Sequence, residues 1–304
     1  MPSLDPTKTA ALRLRYASAM NRRFLQLATD VRKSLVDNDA LGLRTNDTAG
    51  KGQFNFPTSA GKVRAFQTWL ERQIEKGILE VIIRSTDGIE IRRHWQNAYL
   101  RAAYVRAVDV VEKELKRASA LNTIADLSGI ITTGIHAETL ELMYTRAFEG
   151  LRGITRSMSS TLSTIFSQAL TEGVGPKVIA KRITDEIKSI SKNRAIVLAR
   201  TETIRVFAEA SLNVMEQNGV EGIKADVEFL TAQDRRTCKK CLSLEGHIYT
   251  TQQARGVIPV HARCRCRWAP VIEDTYQDKL EREARKRSAR ERIRELQGNQ
   301  RNVA

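Results

Sequence analysis

Five side chains toward the C-terminus have the types and spacing of metal ligands. Cys238 and Cys241 form a C-x-x-C pair, and His261, Cys264 and Cys266 form an H-x-x-C-x-C cluster. This stretch contains every cysteine of the chain. Zinc prefers four nitrogen or sulfur ligands in a tetrahedron, and a C-x-x-C turn directs two thiolates at one point. The pattern predicts a Zn²⁺ site formed by four thiolates, or by three thiolates and His261.

A zinc ion with four protein ligands is structural, because no coordination position remains for an activated water. A zinc deaminase requires H-x-E before P-C-x-x-C, whereas no glutamate follows His247 or His261 at that spacing. Two other interpretations stay open: a reduced thiol cluster without metal, and an HNH-like nuclease in which the two histidines activate water. The sequence shows no paired carboxylates for the divalent metal of such a nuclease. We predict no catalytic residue and no enzymatic activity.

The cysteine stretch is also strongly basic. Asp234 to Trp268 contains eight Lys or Arg residues against two acidic ones. The whole chain has 50 Lys+Arg against 35 Asp+Glu, a formal charge of +15. This balance indicates an acidic partner, either nucleic acid or an acidic protein surface, with a solvated basic surface as the alternative. The candidate contacts to phosphate or to an acidic protein surface are Arg235, Lys239, Lys240, Arg263, Arg265 and Arg267.

The sequence contains no apolar run that approaches the roughly 20 residues needed to span a bilayer, so no membrane partner is expected. The first 15 residues lack the apolar block of a signal peptide. We therefore expect the protein to stay in a reducing cytoplasm, where clustered cysteines bind metal more often than they form disulfides.

The elements that must position these ligands are mostly helical. Apolar side chains recur at helical spacing in four segments, residues 20–35, 66–77, 94–116 and 137–218. Asp87-Gly88 predicts a hairpin near 79–91, and residues 226–230 alternate like a strand. The predicted fold class is α+β, predominantly α-helical with a small zinc-stabilised β-containing C-terminal knot. The name "knot" refers to residues 224–270 throughout.

The chain is expected to divide into three regions. An N-terminal helical region covers 1–130, and a body over 131–272 contains the helices of 137–218, the strand and the knot. A charged tail over 273–304 is expected to be a solvated helix or a frayed end.

Two helices of the body could read DNA. Gly175-Pro176 begins one of them, since proline suits the first helical turn, and Ser191 is expected to cap the next. A polar turn at 189–193 between two helices would allow a helix-turn-helix reader. Two core helices with a polar connection explain the pattern as well.

Two signatures together resemble a known family. The first is Ala199-Arg200-Thr201-Glu202 on a helix; the second combines D-x-R-T-C-x-x-C, a Leu-Glu-Gly step and P-x-H-x-x-C-R-C. The order is similar to that of the phage head morphogenesis family, the minor head proteins typified by the F protein of phage Mu. The likeness spans residues 137–270, and the helix start at 95–104 also resembles these proteins. The residues that match the structural motif are Arg200, Thr201, Glu202, Asp234 and Arg236.

The resemblance implies a minor head (capsid) protein of a tailed bacteriophage. Such a protein associates with the portal and procapsid and takes part in head assembly and in DNA packaging or delivery. The implied partners are the portal protein, the major capsid or scaffold protein, and double-stranded DNA. The implied location is the virion, in the head interior or at the portal vertex, after assembly in the host cytoplasm. The alternative function is a zinc-dependent DNA-processing enzyme (an HNH-like nuclease) or a DNA-binding protein.

Two departures from the family pattern, Phe229 near a common tryptophan and Ala262 in place of a common proline, fit a packed core. Within the motif, Glu202 and Asp234 are expected to pair with Arg200 or Arg236 and so to brace the helix against the knot. Paired charges of this kind fix geometry more than they add stability.

Overall fold

A computed structural model describes residues 5–44, 58–86, 89–118, 134–218, 226–271 and 276–301. These residues are predominantly helical with two small sheets, which confirms the helical character of the predicted fold class. The long helices are α1 (Ala10–Arg32), α2 (Ser59–Gly77), α3 (Asn97–Ala118), α4 (Gly134–Thr171), α5 (Pro176–Ile190), α6 (Ile196–Asn218) and α9 (Tyr276–Arg301). The short ones are α7 (Lys239–Leu242) and α8 (Thr251–Ala254). None of the described helices is both long enough and apolar enough to span a membrane.

The chain forms two compact units that alternate along the sequence. Met1–Leu14, Ala98–Tyr144 and Arg200–Ala304 form one unit, called the knot unit because it contains the knot. Arg15–Asn97 and Thr145–Ala199 form the other, called the helical unit. Packing therefore groups segments that are distant in sequence, whereas the three predicted regions follow sequence order and stay a proposal.

The helical unit is held by interdigitating apolar side chains. Phe66 of α2 is fully buried and stacks on Phe166 of α4 with 4.5 Å between ring centroids. The apolar face of α5 is buried along its whole length, through Ile179, Ile183 and Ile187. Helical spacing puts these residues on one side of each helix, so one face can be removed from water.

A hairpin and a buried histidine complete the helical unit. Strands β1 (Val81–Thr86) and β2 (Ile89–His94) pair antiparallel, from Val81 with His94 to Thr86 with Ile89. Residues 87–88, where the turn was predicted, lie outside the described residues. His94 Nε2 contacts the Ile78 carbonyl at 2.9 Å, and burial lowers the pKa of His94 to about 4. The ring is therefore neutral near pH 7.

The prediction of a polar turn at 189–193 is wrong. Ser191 has helical angles (φ −55, ψ −52), and a π-helical segment, Ser191–Ala195, joins α5 to α6. Ser191 is buried and donates to Asn21 Oδ1 at 2.9 Å instead of capping a helix. A π turn accommodates an extra residue without breaking the helical path. The described backbone therefore has no turn here for a helix-turn-helix reader.

The sheet of the knot has the order β4-β3-β5, with all neighbours antiparallel. Its strands are β3 (Asp226–Leu230), β4 (Ile248–Thr250) and β5 (Arg267–Val271). Trp268 of β5 is fully buried and makes edge contacts with Phe229, at 5.5 Å between ring centroids, and with Tyr249, at 5.3 Å. The knot thus has a small aromatic core, and Phe229 occupies it without loss of packing.

Candidate metal centre

The C-x-x-C pair lies on the first turn of α7. Cys238 is the N-cap residue, with extended backbone angles, and its Sγ accepts a hydrogen bond from the Cys241 backbone N–H at 3.4 Å. Cys241 lies one turn later and is buried. A cap followed by a helical turn places both sulfurs on one side of the backbone, which is the local reason why this spacing suits a metal.

The second cluster lies on the turn that precedes β5. The Cys264 N–H donates to the His261 carbonyl at 3.1 Å, and Arg263 within this turn has a positive φ of 64°. Cys264 and Cys266 are buried, whereas His261 is exposed at the rim. The turn therefore brings one ring nitrogen and two sulfurs toward the C-x-x-C pair.

All five predicted ligands meet in two overlapping groups. Cys238, Cys241 and His261 form one group, and Cys241, Cys264 and Cys266 form the other; within each, the ligand atoms lie within 4.8 Å of one another. His261 Nε2 lies 3.3 Å from Cys238 Sγ and 3.2 Å from Cys241 Sγ. The Cys241 and Cys264 sulfurs are 4.0 Å apart. Zinc–thiolate bonds of about 2.3 Å in a tetrahedron separate two sulfurs by about 3.8 Å, so the cluster can hold a metal ion.

The tautomer of His261 is suited to coordination. Its Nδ1 lies 2.6 Å from the Ala262 carbonyl oxygen. Because a carbonyl only accepts, Nδ1 carries the proton and Nε2 keeps its lone pair toward the two cysteines. A backbone carbonyl on the other ring nitrogen is the usual partner of a metal-bound histidine. Ala262 supplies it here.

The electrostatics of the sulfurs favour a bound cation. Hydrogen bonds with Cys241 and then Cys266 lower the pKa of the Cys264 thiol. The hydrogen bond with Cys264 raises the pKa of Cys241. The pKa of Cys266 is also raised, because its contact with Cys264 and its burial outweigh its hydrogen bond with Cys241. Three thiolates this close would repel one another, and a bound divalent cation would stabilise all three in that form.

Asp234, from the predicted structural motif, anchors the turn before β5. Its carboxylate accepts two hydrogen bonds from Arg265, at 2.5 and 2.6 Å, and one from the Arg236 side chain at 3.3 Å. The hydrogen bonds from Arg265 hold the pKa of Asp234 well below its usual range. Of the two arginines predicted as partners, Arg236 contacts Asp234, but the bidentate partner is Arg265.

The helix signature contacts the same turn. The Thr201 hydroxyl on α6 accepts a hydrogen bond from the Arg263 backbone N–H at 3.2 Å. Glu202 is buried and lies 3.4 Å from Arg205 on its own helix. Arg200 lies beside it and is half-buried. The signature thus connects α6 to the metal-ligand turn through the Thr201 hydroxyl.

The six basic candidates fall into two classes. Arg235, Lys240 and Arg263 are exposed, and Lys239 is half-buried. Arg265 is half-buried against Asp234, and Arg267 forms an ion pair with Glu114 of α3 at 2.7 Å. The charges of Arg265 and Arg267 are therefore compensated inside the fold.

The charged tail packs against the knot, a contact that the sequence analysis did not predict. It forms α9, as one of the two expectations had it, but Arg282 and Ala289 of this helix are buried. The helix is therefore not simply solvated. Arg282 and Arg285 form ion pairs with Glu228 in β3. Hydropathy could not reveal this face, because arginines form much of it.

One family model, described as Phage Mu protein F like protein, matches residues 160–269. The match confirms the resemblance to the phage head morphogenesis family over that span. It includes the helix signature, β3 and all five candidate ligands, and it leaves out α1 to α3 and α9. No significant match was found among curated proteins or among solved structures.

Proposed function

We propose that the protein is a non-enzymatic minor head protein of a tailed phage, associated with the portal and taking part in head assembly and in DNA packaging or delivery. The Mu F-like match carries this proposal, because one family span contains both the helix signature and the complete ligand set. The family suggests a head protein of the virion that contacts other head proteins. The proposed partners are the portal protein, the major capsid or scaffold protein, and double-stranded DNA.

In this proposal the cysteine cluster holds a structural Zn²⁺ ion. Four of the five ligands Cys238, Cys241, His261, Cys264 and Cys266 would complete its coordination sphere. Bound there, the ion would cross-link the turn that begins α7 to the turn that precedes β5. A small sheet with few apolar side chains gains most of its stability from such a cross-link.

The state of His261 supports a structural role over a nuclease. Its Nδ1–H donates a hydrogen bond to a backbone carbonyl, and its Nε2 faces two sulfurs. A histidine that activates water must present a free nitrogen to that water. Both nitrogens are engaged here, so the ring is better suited to ligation than to proton transfer.

The exposed basic residues of the knot offer a docking surface. The side chains of Arg235, Lys240 and Arg263 are exposed, whereas those of Arg265 and Arg267 form ion pairs within the fold. We propose that they contact an acidic face of the portal protein or DNA phosphates. Either contact weakens as salt concentration rises, because exposed charges are screened.

A pull-down against the portal protein of the same phage tests the docking role. Charge reversal of Arg235, Lys240 and Arg263 together is expected to abolish capture at moderate salt. The matched control reverses three exposed basic residues on α2, Arg64, Arg72 and Lys76, and should leave capture intact. Equal capture by both triple variants would contradict the assigned surface.

A nuclease assay tests the non-enzymatic part. The purified chain is expected to leave linear and supercoiled DNA uncut in Mg²⁺ or Zn²⁺. Cleavage that His261→Ala abolishes would overturn the proposal and favour the HNH-like alternative.

A further inference from the structure

The C-terminal helix α9 packs directly on the knot although it lies outside the family match. Ala289 of α9 is buried and borders the same small cavity as Leu242 of α7. Leu242 directly follows Cys241, the sulfur shared by both ligand groups. The helix therefore contacts the element that carries the C-x-x-C pair.

Two buried carboxylates of the knot face this helix. Glu228 in β3 and Glu245 in the turn after α7 are both almost inaccessible. Arg285 of α9 lies 2.5 Å from Glu228 and 3.6 Å from Glu245, so one guanidinium bridges both carboxylates. Arg282 lies 3.4 Å from Glu228 and is itself buried. These two arginines offset the buried negative charge.

Glu245 transmits this contact to the backbone beside the cysteines. Its Oε2 accepts a hydrogen bond from the Thr231 N–H at 2.9 Å, and its Oε1 accepts one from Gln233 Nε2 at 3.3 Å. The next residue, Gly246, donates its N–H to the Phe229 carbonyl at 2.9 Å. The turn that follows Cys241 is therefore fixed to the end of β3 through Glu245.

The close approach of α9 depends on Gly246. This glycine has φ +70°, and a Cβ at its position would lie 3.0 Å from the Lys286 side chain and 3.1 Å from that of Arg282. A larger residue would strain this backbone conformation and would force the Lys286 and Arg282 side chains to shift. Turn and helix are thus matched in shape as well as in charge.

We propose that Arg282 and Arg285 are positioning residues for the metal centre, acting through Glu228 and Glu245 on the turn that carries Cys238 and Cys241. This inference rests on the proposed metal site. Removal of the guanidinium groups leaves two buried carboxylates without counter-charge. The turn then loosens, and the ligands lose part of their preorganisation. Loss of a group that is hydrogen-bonded directly to a metal ligand typically weakens metal binding 10- to 100-fold, and we expect this more distant contact to act at the lower end of that range.

The test compares full-length variants loaded with zinc. Release of zinc to a chromophoric chelator is expected to be at least about 10-fold faster in Arg282→Ala/Arg285→Ala than in the wild type. Arg287→Ala, an exposed position on the same helix, serves as the control and should release zinc at the wild-type rate. Arg285→Lys keeps the charge but replaces the planar guanidinium by a single ammonium group, so it should fall between Arg285→Ala and the wild type.

Hydrogen exchange at the Thr231 amide provides a second readout that does not require metal. Its protection is expected to fall in the double variant and to persist in Arg287→Ala, because Glu245 holds this N–H. Equal zinc release and equal Thr231 protection in the double variant and the control would overturn the inference while leaving the metal site intact. A wild type that binds no zinc would overturn the metal site. Thr231 exchange would then still decide whether the two arginines hold the turn.

Discussion

The knot and the helical unit are stabilised by different chemistry. The helical unit depends on apolar faces such as those of Phe66, Phe166 and Ile183, which are fully buried. The knot has a small aromatic core around Trp268, and it also depends on contacts between sulfur, guanidinium and carboxylate groups. A short sheet removes too little apolar surface from water to offset the entropy of ordering its chain. We therefore expect the knot, unlike the helical unit, to depend on cross-links.

The largest expected effect is confined to the knot. Cys241→Ser removes the sulfur that both ligand groups share, so the knot should lose its metal and its ordered structure. Segment-resolved hydrogen exchange should show loss of protection in β3 and β5 with little change in α2 and α5. Ser243→Ala, an exposed change two residues away, is the control. Wild-type protection of β3 in Cys241→Ser would show that the sulfurs do not hold the knot.

The opposite change should damage only the helical unit. Phe66→Ala opens a cavity beside Phe166 and should lower the free energy of unfolding of this unit by about 3–5 kcal/mol. Urea denaturation followed by hydrogen exchange in α2 and α4 measures the loss. Glu71→Ala on the exposed side of α2 should change stability by less than about 0.5 kcal/mol. If zinc content fell in Phe66→Ala, the two units would not be independent.

Acid pH is expected to destabilise the helical unit through His94. The pKa of His94 is lowered to about 4 in the folded protein, below the value of about 6.5 in an unfolded chain. The unfolded state therefore binds more protons between these values, and the helical unit should lose about 3 kcal/mol as pH falls from 6.5 to 4. Urea unfolding across this range measures the slope, which His94→Gln should remove. An unchanged slope in that variant would assign the acid sensitivity to other groups.

The smallest of these effects concerns the brace inside the knot. Asp234→Asn leaves Arg265 without its bidentate partner and should cost roughly 2 kcal/mol at neutral pH. Because the folded pKa of Asp234 is depressed, its contribution is complete above the unfolded pKa and disappears as pH falls through the folded value. The difference between Asp234→Asn and wild type, measured by urea unfolding, should therefore shrink below about pH 4. A difference that stays constant down to pH 2 would contradict this pairing.

Periodicity and spacing predicted what depends on local pattern. The helical faces around Phe66 and Ile183 and the convergence of five ligands both follow from the order of residue types. Charge pairing does not, because many arginines can reach each carboxylate and only packing selects one. The partners Arg265 for Asp234 and Arg285 for Glu228 illustrate this.

The remaining differences have the same origin in tertiary contacts. Ser191 was expected to cap a helix because its hydroxyl is suited to that, but a hydrogen bond to Asn21, distant in sequence, engages it instead. The division into two units likewise joins segments far apart in the chain. Neither feature leaves a local signal that hydropathy or capping preference can detect.

The central claim, that the cysteine cluster is a metal cross-link and not an active site, is tested most directly by zinc stoichiometry joined to folding. The purified full-length chain should contain one zinc per molecule. Removal of the zinc by a strong chelator should abolish hydrogen-exchange protection across β3, β4 and β5. Protection should return when zinc is restored. A chain that contains no zinc and keeps the same protection with and without chelator would contradict the claim.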